Sequence, residues 1–139
     1  NNDNDETIGT FDAVYDRGSM VAIDPSLRRE YVAVLKRVLK PGGKILLIGL
    51  EKVASSSSSE ATKKGPPYSL TKKTLYELFD FHHIDDDGND RSSSSSSSWI
   101  ESIAVLEETD TLKTNPDDKR RHPDLDQLLE TVYLIERTK

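Results

Sequence analysis

The stretch that decides the fold is Phe11–Leu50, FDAVYDRGSMVAIDPSLRREYVAVLKRVLKPGGKILLIGL. Phe11 to Tyr15 is a compact apolar run bounded by polar residues, as expected of a short strand covered on both faces. Asp24-Pro25 marks a helix start, with a carboxylate as N-cap and a proline at the first helical position, where its missing N–H costs nothing. Leu27, Tyr31, Val34, Leu35, Val38 and Leu39 recur at three- and four-residue steps and predict one buried helix face. Arg28, Arg29, Lys36 and Arg37 are then expected to face water. Lys40–Gly43, KPGG, is expected to stop the helix, and Lys44–Leu50 is a continuous Ile/Leu run suited to a central parallel strand. The whole is a βαβ unit. Asp16, Arg17 and Gly18 fall at the carboxyl end of its first strand, where open α/β sheets bind ligands.

Outward from this unit, the chain of 139 residues predicts one domain. Apolar residues make up only 34% and charged residues 32%, but the apolar ones are gathered into blocks between Ser, Asp and Lys tracts. That is the pattern of a modest core with polar insertions. A net charge of -6 argues against nucleic acid or an anionic membrane as the main partner and for small molecules. With no cysteine there is neither a disulfide framework nor a thiolate metal site. This fits a reducing compartment, and a cytoplasmic location is expected. No apolar run approaches the roughly 20 residues that span a bilayer. The amino end is acidic and amide-rich, unlike a signal or transit peptide. It begins at Asn1, not Met, so the chain is expected to start mid-protein.

Five serines at 55–59 and seven at 92–98 bury nothing, and the stretches 54–64 and 82–98 are read as polar, Ser-rich loop insertions. Gly65-Pro66-Pro67 is a stiff turn before a helix from about Thr71, with Leu75, Leu78 and Phe79 inward. Trp99–Leu106 is expected to be a strand, and Trp99 to lie in the core. Leu125–Leu129 reads as one or two helical turns capped by Asp124, and Thr131–Glu136 as a closing strand. His82-His83 with Asp85–Asp87 invites a metal reading, but the run lacks the first Asp and closing Glu of a calcium loop and is read as solvated. Lys119-Arg120-Arg121, flanked by acids, is read as a self-compensated loop. No metal site is expected.

Three segments, IGTFDAVYDRGSMVAIDPSLRREYVAVLKRVLKPGGKILLIGL, GPPYSLTKKTLYELF and TVYLIERTK, resemble in order the thiopurine S-methyltransferase family, which includes halide and thiol methyltransferases. The Phe-Asp-x-x-x-Asp-Arg-Gly pattern followed by Ala-Ile-x-Pro carries most of the resemblance; LKPGGKILL alone is common to many class I methyltransferases. The resemblance implies an α/β, Rossmann-like class I methyltransferase sheet, with residues 1–139 forming one partial methyltransferase domain, strands four to seven. The family's Gly-rich turn after strand one and its ribose-binding acid are missing. The amino-terminal half of the same fold is therefore the expected partner, and the fragment by itself is expected to be inactive. Phe11–Tyr15 would neighbour the missing first strand, leaving an apolar edge open.

The resemblance implies that Arg17, Asp16 and Gly18 bind S-adenosyl-L-methionine, and that Arg17 with Pro66, Pro67 and Tyr68 contacts the acceptor. Chemistry supplies a reason for the arginine: a guanidinium near a thiol favours the thiolate, whose ordinary pKa is about 8.5, and positioning then supplies much of the rate. No catalytic acid or base is obligatory. The alternative for Arg17 is a surface pair with Asp16 or Asp12, worth little. Asp16 either orients Arg17 or a water, or caps the turn. Gly18 permits backbone approach or a tight turn. The Pro-Pro-Tyr loop is either an acceptor wall or a rigid lead-in to its helix. The expected activity is methyl transfer from S-adenosylmethionine to a thiol, thiopurine-like compound, halide or thiocyanate. The alternatives are a non-catalytic half-domain that pairs with another chain, and a class I enzyme acting on oxygen or nitrogen.

Overall fold

The computed structural model describes residues 11–55, 60–81 and 98–139. The expected βαβ unit is present: β1 (Phe11–Asp16), a single turn α1 (Ser19–Ala22), a 3-10 turn (Pro25–Leu27), α2 (Arg28–Val38) and β2 (Leu39–Val53). It continues through α3 (Glu60–Lys63), α4 (Lys72–Leu78), β3 (Ile100–Asp110), α5 (Thr111–Thr114), α6 (Pro116–Arg121) and β4 (Gln127–Arg137). The four strands form one sheet in the order β1-β2-β4-β3, with β1 parallel to β2 and the other pairs antiparallel.

Asp24 caps the 3-10 turn by accepting the Ser26 amide at 2.9 Å, and Thr71 caps α4 by accepting that of Thr74 at 3.1 Å. Leu75 and Phe79 are buried as expected and Leu78 is half-buried. The face of α2 differs from expectation. Its buried positions are Arg28, Val32 and Leu35, followed by Leu39 at the cap, spaced four, three and four residues apart; Leu27 and Val34 are exposed. Arg28, expected in water, lies on the inward stripe.

Val32, Leu35, Leu75 and Phe79 pack on Ile45, Leu47, Tyr133 and Ile135 to form the core. Along β2, Ile45, Leu47 and Gly49 are buried while the alternate Leu46, Ile48 and Leu50 are only half-buried. Register puts Tyr15 beside Leu46, and Leu134 and Val132 opposite Leu46 and Ile48. One sheet face is thus covered and the other partly open. β1 is an edge strand, with Phe11 58% and Tyr15 62% exposed.

KPGG does not separate helix from strand. Phe11 pairs with Leu39 and Ala13 with Lys44, so Lys40–Gly43 is a bulge inside β2, with Gly42 at φ +75°. Leu125–Leu129 is not helical: Asp126 donates its amide to Val53 O at 2.8 Å and β4 starts at Gln127. Leu128 donates to Asp110 Oδ1 at 3.1 Å, so the ladder supplies partners that one isolated helical turn lacks. Lys119-Arg120-Arg121 is the last turn of α6, with Asp117 and Asp118 in its first, complementing the helix dipole. Trp99 is half-buried, 5.7 Å from the Phe79 ring with Lys36 and Arg137 over it. The serines at 56–59 and 92–97, and His82, His83 and Asp85–Asp87, lie outside the described residues.

Candidate functional site

Asp16 ends β1 and is 2% exposed. Its carboxylate turns back on the following turn: Oδ1 accepts the amides of Gly18 at 3.0 Å and Ser19 at 2.8 Å, and Oδ2 that of Met20 at 3.2 Å. The Tyr31 hydroxyl donates to Oδ2 from α2 at 2.8 Å. Of its two expected roles, Asp16 therefore performs capping, anchoring α1 and joining it to α2. Burial, together with this hydrogen bond, pushes the Tyr31 phenol up to about 12.

Arg17 is exposed and makes no hydrogen bond or ion pair among the described residues. The surface pair weighed from sequence does not form: Asp16 is occupied by the turn, and Asp12 takes Lys40 at 3.5 Å. Gly18 has φ 168°, extended backbone that any residue adopts, so a tight turn does not require it. A Cβ placed there would meet nothing within 4 Å. The space over the Arg17-Gly18 backbone is open.

The Gly65–Tyr68 loop lies against α1. Tyr68 donates its amide to Val21 O at 2.7 Å, and Leu70 donates to Leu50 O at 2.7 Å. Lys52 donates its amide to Ser69 Oγ at 2.9 Å. A Cβ on Gly65 would stand 2.4 Å from the Tyr68 ring, so only glycine lets the ring lie on the backbone there. The structure thus ties the Pro66-Pro67-Tyr68 loop to α1, the turn that follows Asp16-Arg17-Gly18, through the Tyr68–Val21 bond.

One residue that sequence reasoning left in water makes the junction. Arg28 is 2% exposed; its Nε donates to Met20 O at 3.0 Å, Nη1 to Ser69 O at 3.1 Å and Nη2 to Tyr68 O at 3.1 Å. Desolvation lowers its pKa, with Asp24 opposing. The signal for Arg28 was present in its spacing to Val32, Leu35 and Leu39.

Two cavities flank the loop. One of about 250 Å³ is lined by Lys52, Lys64, Pro66, Arg121 and His122; a wider one of about 700 Å³ is lined by Arg28, Glu51, Lys52, Ser69 and Thr71. Arg17 lines neither. Lys52 donates from Nζ to Lys64 O at 2.6 Å, and burial lowers its pKa. Burial raises that of Glu51, and Glu108 adds to the rise.

A turn built on Asp-Arg-Gly after the edge strand and a Pro-Pro-Tyr loop after the next are the features on which the sequence resemblance rested. The model of the thiopurine S-methyltransferase (TPMT) family matches residues 3–138. The chain belongs to that family. It is 42% identical over 72 residues to the thiopurine S-methyltransferase of Vibrio atlanticus, a match covering 52% of this chain and 30% of that protein. With that of Vibrio parahaemolyticus it is 41% identical over 72 residues, covering 52% of this chain and 31% of the relative. The matched stretch therefore spans under a third of the length of these family members. Among solved structures, it superposes on a Haemonchus contortus phosphoethanolamine N-methyltransferase 2 with TM-score 0.55 at 16% identity, covering 93% of this chain and 34% of that one. The family match and this shared architecture identify the sheet as Rossmann-like, of the class I methyltransferase type.

Proposed function

We propose that the chain is the carboxyl-terminal part of an enzyme that moves a methyl group from S-adenosylmethionine to a small, soft acceptor: a thiol, thiopurine-like compound, halide or thiocyanate. The observation that carries this reading is the division of labour in the Asp16-Arg17-Gly18 turn. Asp16 spends its carboxylate on three amides and a phenol, which leaves the Arg17 guanidinium exposed and unpaired among the described residues, beside open backbone at Gly18.

These residues fit one side of a cofactor site: Gly18 admits a ligand against the backbone, Asp16 fixes the turn, and Arg17 is left exposed beside it. When bound, S-adenosylmethionine supplies an electrophilic methyl on sulfur. The chain's own contribution is to hold an electron-rich acceptor in line. Arg17 stabilises the anionic form of a thiol, so no side chain has to remove a proton in the transition state. Pro66, Pro67 and Tyr68 offer a stiff apolar wall, kept close by the Tyr68–Val21 bond. The cytoplasm, where thiols stay reduced, suits such an acceptor.

The remainder of the cofactor site belongs to an amino-terminal half of the same fold. The half-open sheet face and the exposed edge of β1 support this. They also favour a second reading, a non-catalytic half-domain that borrows those surfaces from another chain. Calorimetry of the full-length protein with S-adenosylhomocysteine separates the two. The enzyme reading expects a binding isotherm, and Arg17→Ala is expected to lower turnover about 10- to 100-fold, the worth of one charged hydrogen bond. Absence of heat, or Arg17→Ala turning over thiols at the original rate, would overturn it.

A further inference from the structure

We infer that Arg28 is a positioning residue: by holding three carbonyls on two separate segments, it sets the distance between the Arg17 turn and the Tyr68 wall, and so the affinity for the acceptor. The consequence for the acceptor rests on the methyl-transfer reading; the clamp itself rests on geometry alone.

Each guanidinium nitrogen has its own acceptor. Nε reaches Met20 O in α1, while Nη1 and Nη2 reach Ser69 O and Tyr68 O, 41 and 40 residues away in sequence. A guanidinium presents its donors in a rigid plane, so fixing it on two carbonyls fixes where the third must be. Lysine, a point charge on a flexible stem, lacks that property. The group is 2% exposed, so water does not compete for these bonds.

Met20 is gripped from both sides, its amide by the Asp16 carboxylate and its carbonyl by Arg28. The polar path therefore runs from the end of β1 through α1 to Arg28 and on to the Pro-Pro-Tyr loop. Arg17 stands at one end of it and Tyr68 at the other, and the Tyr68–Val21 backbone bond closes the ring. The guanidinium lies on α2, so three elements share one cation, and displacing any of them moves both walls.

The test uses the full-length protein with Arg28→Lys and, separately, Gly65→Ala, which pushes on the Tyr68 ring without touching Arg28. Amide hydrogen exchange is followed in residues 18–23 and 65–70 against the β2–β4 ladder, alongside kinetics with a thiol acceptor. Arg28→Lys is expected to speed exchange in both segments together about tenfold or more, with the ladder unchanged, for loss of charged hydrogen bonds. It is expected to raise acceptor KM about tenfold while kcat shifts far less. Gly65→Ala is expected to loosen 18–23 as well as its own loop. Loosening of one segment only, in either variant, or an unchanged KM in a loosened Arg28→Lys protein, would overturn the inference. If the unmodified protein methylates no soft acceptor, the activity reading falls and with it the KM consequence, while exchange still decides the clamp.

Discussion

Replacing Asp16 by alanine removes the acceptor of three backbone amides and of the Tyr31 hydroxyl in one step. Gly18 is the N-cap of α1, and Asp16 accepts the first-turn amides from before it, so loss of this carboxylate, like that of a capping side chain, costs about 1–2 kcal/mol. The Met20 amide is buried and Tyr31 half-buried, and stranding such donors costs about 1–3 kcal/mol more. The expected loss is therefore about 3 kcal/mol, a large share of the roughly 5–15 kcal/mol that holds a domain together. Urea unfolding of the full-length protein measures it, through a lower midpoint at unchanged slope. Tyr31→Phe removes one of the four donors and should cost about 1 kcal/mol. The double variant should lose less than the two singles combined, by roughly 0.5–1 kcal/mol, because both remove the same bond. A loss under about 1 kcal/mol for Asp16→Ala, or strict additivity in the cycle, would refute the view that this carboxylate organises the turn.

Three other outcomes follow from the same geometry. The folded pKa of Tyr31 is raised to about 12 from an ordinary 10.0, so its contribution is complete below pH 10 and lost as pH rises toward 12. Tyr31→Phe should flatten the stability loss in that window, read from unfolding midpoints at successive alkaline pH values. Glu51 has a raised pKa, caused first by burial and then by Glu108, with Lys72 opposing; its contribution is complete below the ordinary 4.5 and lost as pH rises through the folded value. Glu51→Gln should therefore raise the melting temperature at neutral pH and leave it unchanged in acid, and a lower neutral value would contradict this. Phe79 is fully buried against Trp99, and Phe79→Ala should cost about 3–5 kcal/mol, checked by urea unfolding.

Where a residue's environment is set by near neighbours in sequence, it could be read directly. The Asp24 cap and the Ile45–Leu50 strand are of that kind; Phe11–Tyr15 was legible as a strand, but the cover expected on both its faces is missing, because it lies at the sheet edge with Phe11 and Tyr15 exposed. Arg28 was misread because charge type was allowed to outvote position. Its spacing to Val32, Leu35 and Leu39 put it inside, and the carbonyls of Met20 and, forty residues on, of Tyr68 and Ser69 make burial tolerable. Leu125–Leu129 was misread because the bonds that make it extended come from Val53 and Asp110, which local pattern cannot show. In the candidate site, the Asp-Arg-Gly turn and the Pro-Pro-Tyr loop could be located in the sequence. That Val21 and Arg28 tie the loop to α1 could not be read there, since the loop lies some forty residues further along the chain.

The Lys40–Gly43 bulge lies inside β2, between Leu39, which pairs with Phe11, and Lys44, which pairs with Ala13. Gly42 donates to Thr138 O there, and the register shift is confined between Phe11 and Ala13, so Ile45 and Leu47 pair in regular register beyond it. Such slack acts as an expansion joint: insertions or deletions of a residue at this point should be absorbed locally, leaving sequences free to drift in helix length while the buried lattice of the sheet stays fixed.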